Sequence, residues 1–154
     1  MIKEDINDRE KLNKLGYNSK IYYCGNYSME KYYSYVYNKL KALGVNFALN
    51  RACFIHDVNY GLLKKEILKS ELLNKIKESK GIKKYWYISK LFVSKFIDKL
   101  KIDKHFYNDM QRCIIYEYQQ RNISFKHAAH LRFVAGVFYG IVIIATPFYI
   151  YQKL

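Results

Sequence analysis

The residues best suited to chemistry in this sequence are a histidine and the aspartate that directly follows it, His56-Asp57. Cys53 stands three residues before the histidine and Tyr60 four residues after it. Neutral imidazole accepts a proton near physiological pH, and a carboxylate is a ligand that hard metal cations prefer. On a helix, His56 and Asp57 point about 100° apart and meet different neighbours. Tyr60 then lies one turn above His56 on the same side. One helix thus offers a proton acceptor to one partner and a metal-seeking carboxylate to another.

A second stretch of interest begins 46 residues beyond His56. It reads Ile102-Asp103-Lys104-His105-Phe106-Tyr107-Asn108-Asp109-Met110, with Cys113 beyond it. Asp103, Phe106, Met110, Cys113 and Ile114 recur at helical spacing, so they predict one face of a helix. His105 is expected on the exposed side. His127 and His130 are one turn apart but have no cysteine or acid beside them in sequence, so they make a poor zinc pair.

The elements that must position these residues can be read from patterning. Residues 1–20 are polar and read as a loosely held arm, followed by a helical domain over 21–154. Ile21 to Ser28 is a tyrosine-rich loop around Cys24-Gly25-Asn26, and Ser28 caps a helix from Met29 to about Leu43 that Gly44 ends. Asn46 caps the helix that carries His56 and Asp57, which is expected to end near Gly61. Leu62 to Lys80 sets Leu63, Ile67, Leu68, Leu72 and Ile76 on one face and lysines on the other, a basic amphipathic helix. A further helix, with room for a break, runs from about Tyr85 to Tyr118. Residues 133–151 carry no charge and include Gly136, Gly140 and Pro147. They fit a buried terminal helix over 128–145 with an apolar tail after Pro147, or a C-terminal membrane anchor.

Composition agrees with a helical fold. The chain has 154 residues, one proline and seven glycines, and half of it is apolar, which suits one domain with a real core rather than disorder. The net charge is +14. A lysine-rich surface attracts anionic lipid, each nearby basic residue contributing about 1 kcal/mol. It also attracts nucleic acid without reading bases, but no helix-turn-helix, zinc-finger or aromatic-platform signature accompanies it. Residues 1–20 are too charged to act as a secretory signal. The three cysteines, Cys24, Cys53 and Cys113, permit one disulfide plus a free thiol or three reduced buried thiols.

Three stretches together resemble the phospholipase A2 superfamily, most closely its small bacterial and fungal branch. They are Gly44-Val45-Asn46-Phe47, then Ala52-Cys53-Phe54-Ile55-His56-Asp57-Val58-Asn59-Tyr60, then the run from Ile102 to Met110. The segment from Val134 to Val142 is also similar to that branch's last helix. The resemblance covers roughly residues 44–61 and 99–142. It implies an all-α fold centred on two long antiparallel helices that carry a His/Asp dyad, linked by the basic amphipathic helix, with an apolar C-terminal helix at about 128–151.

The resemblance also implies roles. His56 would be the general base that activates water, Asp103 the carboxylate that orients it, and Tyr60 the donor that supports Asp103. Asp57 would bind calcium, together with backbone carbonyls of Tyr23 and Gly25. The stretch Tyr22-Tyr23-Cys24-Gly25-Asn26 contains no acid, so Asn26 would be the side chain able to add an oxygen. Cys24 would pair with Cys53, and Cys113 would have no fourth cysteine to meet. The implied activity is calcium-dependent hydrolysis of phospholipid acyl esters at an anionic membrane surface, by a secreted or membrane-associated protein. The alternative is a catalytically silent relative that binds or disrupts membranes.

Overall fold

A computed structural model describes residues 7–18, 23 and 45–151. The helix expected over Met29–Leu43, and the residues Cys24, Gly25 and Asn26, lie outside the described residues. Among the described residues the fold is all-α, with five helices and no strand.

The N-terminal region is tied down where it is described. Helix α1, Arg9–Lys14, is capped by Asp8, whose carboxylate accepts from the Lys11 N–H at 3.1 Å. It closes with Gly16 at φ 94, where Gly16 N–H donates to the Asn13 carbonyl and Tyr17 N–H to that of Leu12. A side chain would be strained at that φ, so glycine suits this helix stop. Leu12 is fully buried in the main core beside Leu49 and Met110. Leu12, with Tyr17 packed on Phe54, therefore docks this segment, where the sequence suggested a loose arm.

Helix α2, Val45–Lys69, runs through Gly61 and on for two more turns. An interior glycine costs a helix about 1 kcal/mol. Beyond it, Leu63 and Ile67 bury against Ile102, each worth roughly 1.5–3 kcal/mol, so packing overrides the glycine. The basic amphipathic stretch 62–80 is correspondingly not one helix. It breaks at Ser70, whose side chain accepts from Leu72 N–H and starts helix α3, Glu71–Glu78. The break shifts the buried face. Leu73 and Ile76 pack on Leu91, Leu72 is half-buried, and Leu68 is exposed.

Helix α4, Gly81–Gln119, is a single unbroken element of 39 residues, about 58 Å long. It begins four residues before the expected Tyr85 and turns out at Arg121, which takes a left-handed φ of 57. Ser124 then caps helix α5, Phe125–Tyr151, through a bond from His127 N–H to its hydroxyl. Helix α5 continues through Pro147, so no separate tail follows it there.

Helices α2, α4 and α5 form the body. Arg51 meets Glu117, His56 meets Asp103, and Lys95 meets Glu66, so α2 and α4 run antiparallel as expected. Tyr118 meets Phe125, Tyr107 meets Tyr139 and Lys99 meets Val142, so α5 returns antiparallel to α4. The inner face of α5 carries Ala128, Leu131, Val134 and Ala135 into the core. Its outer face leaves Phe133, Val137, Ile141 and Ile144 exposed, so α5 is not a wholly buried helix. It is also long and apolar enough over Phe125–Ile144 to cross a membrane.

Candidate active site

The antiparallel pairing of α2 and α4 brings His56, Tyr60 and Asp103 into one cluster. His56 Nε2 lies 3.2 Å from Asp103 Oδ1. The Tyr60 hydroxyl donates to the same oxygen. An ionised carboxylate only accepts, so in the neutral ring Nε2 carries the hydrogen and Nδ1 is left as the acceptor. Nδ1 faces the other way, 4.0 Å from Asp57 Oδ1. Phe106 stacks on one side of the imidazole, with centroids 4.2 Å apart, and Tyr60 tilts against it at 4.1 Å. Two rings and a hydrogen bond thus fix the imidazole's orientation.

Burial differs sharply across the cluster. Asp103 is 0 % exposed and His56 8 %, whereas the Asp57 side chain is 60 % exposed. Burial pushes the His56 ring below its usual value, against an opposing pull from Asp103, which favours the neutral imidazole. Burial alone would raise Asp103. Hydrogen bonds from His56, Lys99 and Tyr60 outweigh it and hold that carboxyl below its ordinary range. Asp103 is therefore not a solvated helix residue, and Tyr60 is not mere core filling.

Sequence reasoning missed Lys99. It is fully buried one turn before Asp103, and its ammonium donates to Asp103 Oδ2 at 2.7 Å. The only sequence signal is a lysine four residues ahead of an aspartate, hidden among 27 basic residues. A second missed pair is Arg51 and Glu117, 2.7 Å apart and both buried, beside the dyad helices' far end. His105 was expected on the surface. It is half-buried, with Nδ1 2.8 Å from the buried carboxylate of Asp109.

Asp57 suits a cation. Its carboxyl is pushed up to about 6 by partial burial, and no Lys or Arg pairs with it among the described residues despite the charge of the chain. Tyr23 N–H donates to Asn50 Oδ1 at 2.6 Å, and its ring packs on Phe54 at 4.9 Å. These contacts set Tyr23 against α2 at Asn50 and Phe54. Carboxylate and main-chain carbonyl oxygens are the ligand types that calcium takes. Gly25, the third expected ligand, lies outside the described residues. No group of three or more His, Cys, Asp or Glu poised for a metal occurs among the described residues, and His127 and His130 are not part of one.

Cys53 is disulfide-bonded, and Cys113 is a free buried thiol that burial raises to about 12. The expected pairing with Cys24 involves a residue outside the described set. No family profile, curated protein or solved structure matches this chain.

Proposed function

We propose that this protein hydrolyses acyl esters of phospholipids at an anionic membrane surface, as a calcium-dependent phospholipase A2-like enzyme. One observation carries the reading. A buried acid holds one nitrogen of a buried imidazole, and the other nitrogen opens toward an exposed carboxylate that pairs with no Lys or Arg among the described residues.

The chemistry follows from those positions. Water approaching Nδ1 of His56 gives up a proton to the ring as its oxygen adds to the ester carbonyl carbon. Asp103 stabilises the imidazolium that forms, and Tyr60 holds Asp103 in place. When the acyl carbon–oxygen bond breaks, the imidazolium returns the proton to the leaving alcohol. A fatty acid and a lysophospholipid result, with no covalent enzyme intermediate. Asp57 and the carbonyls of Tyr23 and Gly25 would hold calcium, which supplies Lewis-acid polarisation of the ester carbonyl and charge for the developing oxyanion.

Fatty-acid release from phosphatidylglycerol vesicles in calcium tests this reading. The His56→Ala chain should keep its helical circular dichroism and lose release by roughly 100-fold or more. Undiminished release from that variant overturns the proposal. The exposed apolar stripe of α5 and the +14 charge favour one second reading, a catalytically silent membrane-disrupting protein. Vesicle leakage that persists in chelator, with no fatty acid released, would establish that form instead.

A further inference from the structure

We propose that Lys99 is a positioning residue for the dyad, a buried cation that pins Asp103 from behind and ties it to helix α5. The inference rests on the hydrolytic reading for its catalytic consequence and on geometry for the rest.

An ammonium has three donors, and the partners of Lys99 among the described residues come from more than one helix. They include Asp103 Oδ2 at 2.7 Å, the Val142 carbonyl of α5 at 3.2 Å, and the face of the Tyr60 ring 4.6 Å away. Tyr60 belongs to α2, so one side chain on α4 touches all three long helices at the dyad. Lys99 itself is only 1 % exposed. A lysine is almost never buried to that degree without such pairing.

The consequence for Asp103 is geometric. Its Oδ1 serves His56 and Tyr60, and its Oδ2 serves Lys99. A carboxylate held at both oxygens from different sides cannot swing about its side-chain axis, so the imidazole keeps a fixed partner. Without Lys99, a buried carboxylate would lose its charge-assisted bond at Oδ2, and losing one partner of a buried ion pair loosens the other. The bond to Val142 adds a second consequence. Val142 shares α5 with Ile141 and Ile144, which are exposed to the surroundings. Lys99 therefore joins the acid of the dyad to the helix whose outer face is free to meet lipid.

Lys99→Ala in the full-length chain removes three methylenes and the ammonium, and propylammonium matches what is lost. On phosphatidylglycerol vesicles with calcium, the variant should retain its circular dichroism and lose about tenfold in kcat with KM within about twofold. Propylammonium should restore kcat, and propan-1-ol at matched ionic strength should not. Wild-type kcat in Lys99→Ala overturns the proposal. So does a loss that propylammonium fails to repair, since that would assign Lys99 to packing alone. Should Lys99→Ala fail to fold, the wild-type chain still decides. A slowly exchanging lysine ammonium resonance in 1H–15N spectra supports the hold on Asp103, and its absence overturns it. If the wild-type chain releases no fatty acid, the hydrolytic reading falls while that resonance still reports on Lys99.

Discussion

Two histidine–aspartate hydrogen bonds among the described residues, His56–Asp103 and His105–Asp109, differ in how they are built. His56 and Asp103 come from different helices and meet only because α2 and α4 pack antiparallel. His105 and Asp109 sit one turn apart on α4 and meet wherever that helix forms. Asp103 is bonded at both oxygens, by His56, Tyr60 and Lys99, and its carboxyl is held low. Asp109 keeps one oxygen without a hydrogen-bond partner, with Arg112 as far as 3.9 Å from it, and burial pushes its carboxyl up. The two buried acids are equally hidden from water but differ in how completely they are satisfied. Three donors on two helices outweigh burial and favour the ionised form of the first one.

Substitutions should widen that contrast. Asp103→Asn keeps the shape but cannot stabilise an imidazolium, so fatty-acid release should fall by about 100-fold or more, measured on phosphatidylglycerol vesicles. Asp57→Asn should remove the calcium dependence of release while leaving thermal stability within about 1 kcal/mol, because its side chain is mostly exposed. His105→Ala should leave release within about twofold. It should lower stability by about 1–3 kcal/mol in denaturant titrations, since it strips Asp109 of its closest partner.

Acid stability separates the two pairs by sign. The Asp103 carboxyl is lowered below 3.8, so its contribution to stability is present above that pH and is lost as pH falls through its folded value. The Asp109 carboxyl is raised above 3.8, so its contribution is full below that pH and is lost as pH rises through its folded value. Denaturant titrations across pH 3 to 7, a range spanning the ordinary carboxyl value, should therefore show stability falling less steeply toward acid in Asp103→Asn. In Asp109→Asn they should show a gain relative to wild type at the neutral end. The smallest expected effect is chemical. Cys113, buried and raised to about 12, should resist iodoacetamide at pH 8 in the folded chain and react once unfolded, as mass spectrometry would show.

The meeting of His56, Tyr60 and Asp103 was legible because their residue types and spacing are distinctive. His56, Tyr60 and Asp103 fall at helical intervals within two recognisable stretches, and helices place such residues without help from loops. The element ends were less legible because tertiary packing decided them. Gly61 looked like a helix stop, but Leu63 and Ile67 had a surface to bury on. Ser70 looked like one more polar residue on an amphipathic face, yet its hydroxyl starts a new helix. Leu12 was invisible because a single apolar residue has no period. Lys99 was hidden for a different reason. In a chain this basic, nothing in sequence distinguishes a lysine that turns inward to an acid from those that coat the surface.

That His56 and Asp103 act as one unit is a claim that a double-mutant cycle on fatty-acid release can break. If the claim holds, His56→Ala combined with Asp103→Asn should be no slower than His56→Ala alone, because the acid works only through the ring. Losses that multiply in the double variant would show two residues working independently, and would contradict it.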